Sequence, residues 1–116
     1  MKLYVALFAI MVFSLFTTAQ NPCGSDGLCV VQFNAEWNKA NSVDWVTKLN
    51  DCEKDYVDIA KDTKAAGKYK IVVVPTILIF NGSEEVGRFQ ANIMMTMEAT
   101  KKEVQSAIDE ILMEDF

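Results

Sequence analysis

The stretch Val30-Val31-Gln32-Phe33-Asn34-Ala35-Glu36-Trp37-Asn38-Lys39-Ala40-Asn41 decides how the chain reads. Its front half belongs to an apolar run from Leu28 to Ala35, rich in Val and Phe, which predicts a buried strand. Its back half breaks that run and leads into a short helix expected over Asn38 to Asn50. Asn41 or Ser42 stands where a helix cap is needed, and Asp44 suits the first turn. Val43, Val46 and Leu49 recur at helical spacing, while Trp45 falls out of step and reads as cover for the helix back.

Toward the C-terminus, Tyr56 to Ala60 alternates as a second strand, and Asp62 to Ala66 forms a helical turn closed by Gly67. Lys68 to Phe80 is strongly β-forming and contains Pro75, which has no N–H for a ladder and must therefore start a strand. Asn81-Gly82 predicts a hairpin turn, so Glu84 to Gln90 is the antiparallel return strand. Ala91 to Met97 is a Met-rich connector. Thr100-Lys101-Lys102-Glu103 fits a capping box, after which Val104, Ile108, Ile111 and Leu112 line one face of a closing helix. The order gives an α/β domain with helices on both faces of a four-stranded mixed sheet. The first two strands pair in parallel, and the hairpin adds two antiparallel strands.

Toward the N-terminus, Gln20 to Gly27 is a polar leader with Pro22, Gly24 and Ser25-Asp26-Gly27 as turn formers. Met1 to Ala19 has one Lys, an uncharged apolar run and then small polar residues, the layout of a secretory signal peptide cut before Gln20. The rival reading is a retained membrane anchor, since Leu3 to Ala19 is 17 uncharged residues, at the lower limit for crossing a bilayer. A lipid anchor on Cys23 is disfavoured by Pro22 and by the lack of a small aliphatic run before it. The expected location is therefore periplasmic or secreted, with the domain spanning residues 20–116.

The chain carries 16 acidic and 11 basic residues, a net charge of −5, and no histidine. An acidic body with no basic stripe argues against nucleic acid as a partner. Without histidine the usual general base and the usual metal ligand are missing. No cofactor is expected, and a membrane is expected as a partner only if residues 1–19 are retained.

Several motifs together resemble the thioredoxin family. Phe33-x-Ala35-Glu36-Trp37 is similar to that family's Phe-x-Ala-x-Trp. Lys68-Tyr69-x-Ile71-x-Val73-Val74-Pro75-Thr76 is similar to its Lys-Tyr-x-Ile-x-x-Ile-Pro-Thr. Phe80-Asn81-Gly82 and Gly87-Arg88-Phe89 match the hairpin that follows. The resemblance covers residues 28 to 116 and implies a thioredoxin-like three-layer α/β/α fold with sheet order 4-3-1-2 by sequence strand number. It also implies a cis Val74–Pro75 bond beside the turn after Trp37, with Thr76 following, and a groove edge open to an extended peptide.

The departures bear on chemistry. Where the family has its two active-site cysteines, this chain has Asn38 and Asn41, which supply no thiolate. The family's buried Asp falls at Gln32, which cannot move a proton. The resemblance therefore implies a redox-inactive module that binds protein through the Trp37–Pro75 groove or the Met94–Met97 connector, or serves as a subunit of an assembly. The alternative is a thiol–disulfide oxidoreductase with residual activity through Cys29 or Cys52. Trp37 reads equally as a partner-contacting aromatic or as a half-buried ring capping the sheet. Asn38 and Asn41 read first as amides that bond the turn's own backbone. The methionines of the connector read first as core filler.

Of the three cysteines, Cys29 opens the first strand and Cys52 precedes its expected parallel neighbour. Cys29–Cys52 is the favoured bridge, stabilising by about 3 kcal/mol for a loop of that size, and Cys23–Cys52 is the second choice.

Overall fold

The computed structural model describes residues 21–114. The readings of residues 1–19 as signal peptide or anchor lie outside these residues. Strand β1 (Leu28–Asn34) is buried at every position. It lies inside a four-stranded sheet of order β2-β1-β3-β4, the expected order read from the other edge. Strand β2 (Glu53–Asp58) pairs with β1 in parallel, with Cys29 opposite Glu53 and Asn34 opposite Asp58. Strand β3 (Thr76–Asn81) runs antiparallel to β1 on its other side, and β4 (Glu84–Gln90) closes the hairpin.

The continuous apolar run of β1 is explained by cover on both faces. Leu28 and Val30 join Ile77 and Ile79 on one face, beneath Val104 and Ile108 of the closing helix α2 (Lys101–Glu114). Cys29, Val31 and Phe33 join Leu78 and Phe80 on the other, against Ala65 of the short helix α1 (Ala65–Lys68). Thr100 caps α2, its Oγ accepting from Glu103 N–H at 3.2 Å. Gln105 ties α2 to the chain at Asn50, accepting from Asn50 N–H and donating to Asn50 C=O.

Several element boundaries differ from expectation. The helix expected over Asn38 to Asn50 is instead two 3-10 turns, Glu36–Asn41 and Asp44–Lys48. Between them Ser42 and Val43 are extended. The physical cause is Gln32, whose side chain binds both Val43 N–H and Val43 C=O and so removes them from any helical ladder. Val43, Val46 and Leu49 are nonetheless buried, because a three-residue spacing also suits the tighter helix. Trp45 packs against this core rather than covering a helix back. The second strand starts at Glu53 rather than Tyr56. It is an edge strand with four exposed residues at its start, so no apolar alternation marks where it begins. In the run Lys68 to Phe80, regular pairing begins only at Thr76, directly after Pro75.

Candidate functional site

The two ends of β1 carry different chemistry. At seven residues the strand is roughly 20 Å long, so the two rims form separate sites.

The C-terminal rim is a lattice of amides. Asn34, fully buried at the end of β1, donates to Asn38 C=O at 3.3 Å and to Ser42 Oγ at 3.0 Å. Asn38 Nδ2 returns a bond to Asn34 Oδ1 at 3.1 Å and reaches Val74 C=O at 3.4 Å. Asn41 Nδ2 donates to Asn38 Oδ1 at 2.9 Å. Asn38 and Asn41 therefore bond the turn and each other and do not cap a helix. No amide in this lattice titrates, so it holds the turn against the Val74–Pro75 loop without pH dependence. Asn34 was not singled out in the sequence. The signal for it was a polar residue ending an otherwise apolar buried strand, since such a group needs partners.

The Val74–Pro75 bond is cis. Pro75 and Thr76 are themselves buried, Thr76 Oγ donating to Val73 C=O at 2.7 Å. The groove beside them is thus walled by other residues than Pro75. A cavity of about 170 Å³ is lined by Trp37, Ile59, Val72, Val74, Ile93 and Met95, with no charged side chain on it. Trp37 is 65% exposed and Ile93 95%, so Trp37 is an open surface aromatic rather than a cap on the sheet. The Met-rich connector divides. Met94 and Met95 are exposed, Met95 on the wall of this groove, whereas Met97 packs against the core under α2.

The N-terminal rim carries the sulfur. Cys23 and Cys29 form a disulfide, Sγ–Sγ 2.00 Å with Cα atoms 6.0 Å apart. Neither Cys29–Cys52 nor Cys23–Cys52 is present, and Cys52 is free. Side-chain parity rules out Cys29–Cys52, and Cys23 packs with Cys29 on the α1 side. Cys29 is in register with Glu53, so Cys52, one residue earlier, points to the opposite face of the sheet. Cys29 lies among the α1-side core and Cys52 against the α2-side core.

This bond corrects the expectation of a chain lacking redox cysteines. The turn after Trp37 carries no sulfur, but a disulfide-forming pair is present at the other rim, so "redox-inactive" does not describe the protein. Cys29 is fully buried, whereas Cys23 is only partly so. Cys52 borders a depression of about 420 Å³ with Ser25, Gly27, Leu28, Asp51 and Glu53. Burial chiefly pushes its thiol above the usual range, Lys54 opposes this, and Asp51 and Glu53 add to it.

A third depression lies beside Lys68, Lys70 and Arg88. Arg88 is already bonded to both carboxylate oxygens of Glu85 and to the carbonyls of Tyr69 and Lys70.

No protein-family model matches the chain and no curated protein is similar to it. Solved structures are. A reduced thioredoxin pre-protein from Schistosoma mansoni is 26% identical with a TM-score of 0.59, over 73% of this chain and 79% of that one. A mutant thioredoxin from Halobacterium salinarum NRC-1 is 17% identical with a TM-score of 0.58, over 73% and 74%. A Fasciola hepatica thioredoxin is 23% identical with a TM-score of 0.54, over 74% and 82%. The fold is thioredoxin-like.

Proposed function

We propose that this chain is an exported thiol–disulfide exchange protein whose exchangeable bond is Cys23–Cys29. The observation that carries the reading is that pair itself, with one sulfur on the partly exposed leader and the other inside the sheet. The thioredoxin-like body supports it, and so does the signal-peptide layout of the sequence of residues 1–19, which implies a compartment in which disulfides persist.

Access decides which sulfur is attacked. Cys29 is sealed in the core, so a partner thiolate attacks Cys23 Sγ. The Cys23–Cys29 bond breaks, Cys29 leaves with the bonding pair and takes up a proton, and a partner–Cys23 mixed disulfide forms. The partner's second thiolate then attacks its own first sulfur and expels Cys23, which also takes up a proton. Two electrons and two protons pass from the partner dithiol to the cysteine pair. Departure of Cys29 into apolar surroundings makes the first step slow compared with exchange at a solvent-exposed bond. The partner is a protein that spans the roughly 20 Å between the rims, held at the uncharged groove of Trp37, Val72 and Ile93 by apolar burial while its thiol reaches Cys23.

The test follows the oxidised protein with a reduced dithiol peptide by mass spectrometry. Transfer of two hydrogens to the chain is expected, with loss in Cys23→Ser and retention in Cys52→Ser. A bond that stays closed at every glutathione ratio would make Cys23–Cys29 a structural staple and end the proposal.

A further inference from the structure

The depression beside Lys68, Lys70 and Arg88, about 340 Å³ in volume, adjoins the disulfide. Asn21, two residues before Cys23, lines it. So does Phe80, which stands opposite Cys29 across the β1–β3 pairing. Tyr69 lines it too, and packs with Cys23 against the α1-side core. The groove at Trp37 opens on the same side of the sheet, through Ile59, Ile71 and Val74 of that core. A partner lying along the α1 side therefore meets both.

The depression is cationic on an acidic chain. Lys68, Lys70 and Arg88 border it against one carboxylate, Glu85, whereas the net charge of the whole chain is −5. Arg88–Glu85 is the only salt bridge among the described residues, so neither lysine has a carboxylate of its own. Lys68 Nζ lies 5.2 Å from the centre of the Tyr69 ring. Lys70 stands where glycine is usual. Helix α1 ends in a Schellman turn, with Ile71 N–H donating to Ala66 C=O at 2.8 Å and Lys70 N–H to Gly67 C=O at 3.4 Å. Within that turn Lys70 has φ +55°, a conformation that strains any residue with a Cβ. Arg88 holds it there, donating to the carbonyls of Tyr69 and Lys70 at 2.7 and 2.9 Å. A charged side chain is thus kept on the wall of the depression at a backbone position that would be less strained without it.

We infer that this depression binds an acidic peptide segment, with Lys68 and Lys70 as the cations that meet its carboxylates. The inference deepens the exchange reading and rests on it in one respect, the identity of the segment as the residues flanking the partner's attacking cysteine. Tyr69 and Phe80 give the depression an aromatic floor, which suits a peptide side chain better than an inorganic anion.

Fluorescence anisotropy with two labelled peptides tests it. Each carries one S-methylated cysteine, which cannot exchange, flanked by glutamates in one peptide and by glutamines in the other. The glutamate peptide is expected to bind more tightly at low ionic strength, and the difference to shrink as salt is added. Lys68→Gln and Lys70→Gln are each expected to weaken it roughly two- to fivefold, whereas Lys102→Gln on α2 leaves it unchanged. Lys70→Gly separates binding from folding. It is expected to weaken the glutamate peptide as Lys70→Gln does, while its thermal midpoint stays level or rises because the strain is relieved. Inorganic phosphate at the peptide's concentration is expected not to displace it. Equal binding of the two peptides, a preference untouched by the Lys68 and Lys70 variants, or full displacement by that phosphate would overturn the inference. Failure of the exchange reading looks different: the blocked glutamate peptide would bind with the expected dependence on both lysines, while its reduced form left Cys23–Cys29 closed.

Discussion

Gln32 and Val43 clasp each other at two points: Val43 N–H donates to Gln32 Oε1 at 2.7 Å, and Gln32 Nε2 donates to Val43 C=O at 3.1 Å. The clasp is buried and splits the segment after Trp37 into two 3-10 turns. Gln32→Leu leaves both backbone groups of Val43 without a partner and is expected to cost about 1–3 kcal/mol in denaturant melts. Gln32→Glu keeps the acceptor, but at neutral pH it sets a carboxylate against the Val43 carbonyl. Protonation restores the donor, so the folded state binds that proton more tightly than the unfolded state. The variant's stability, relative to wild type, is therefore expected to rise as pH falls through the carboxylate range. A flat difference across pH would show that the carboxylate does not meet Val43.

Asn38 and Asn41 already touch, with Asn41 Nδ2 2.9 Å from Asn38 Oδ1. The double variant Asn38→Cys, Asn41→Cys is expected to form an internal bridge under oxidant without unfolding the domain. Its reduced form is expected to be less stable than wild type by about 1–3 kcal/mol, because Asn34 Oδ1 loses a buried donor. Thiol titration and thermal melts report both outcomes, and thiols that stay free under oxidant would refute the turn geometry.

Cys23–Cys29 closes a short loop around two glycines. Cys23→Ser is expected to lower stability by about 2 kcal/mol through the entropy of the unfolded chain. Equal denaturant midpoints for the two proteins under oxidising conditions would refute this.

Cys52 is held in its thiol form above the usual range, chiefly by burial. Because the thiolate is the reactive species, its alkylation is expected to lag that of free cysteine at neutral pH. The gap should close as pH rises past the ordinary thiol range. Faster alkylation than free cysteine at neutral pH would contradict the burial.

Ile93 is almost wholly exposed beside Trp37 and Val72. Ile93→Lys is expected to abolish binding of an apolar fluorescent dye at this groove while changing stability by no more than about 0.5 kcal/mol. Unchanged dye binding would place the apolar surface elsewhere.

The hairpin and the closing helix were legible because their signals are local, whereas sheet order was legible only through the family resemblance. Pro75 marks where pairing can begin, Asn81-Gly82 where it must reverse, and Thr100 with Glu103 where α2 starts. The start of β2 was not, because Glu53, Lys54, Asp55 and Tyr56 gain their strand conformation from pairing with β1 and bury little. The break at Val43 was hidden for a related reason. Gln32 lies eleven positions away and competes for backbone groups that helical periodicity alone would assign to a helix.

The absence of sulfur at Asn38 and Asn41 is a matter of residue identity, and the amino-acid order alone determined it. Which cysteines are joined was decided only in three dimensions. A strand sends alternate side chains to opposite faces, so the register of β1 against β2 placed Cys29 and Cys52 on different sides and left Cys29 to Cys23. The same rule brought Asn34 into the lattice beneath the turn. Pairing and polar satisfaction depend on register and burial, and both are properties of the assembled sheet rather than of any one segment.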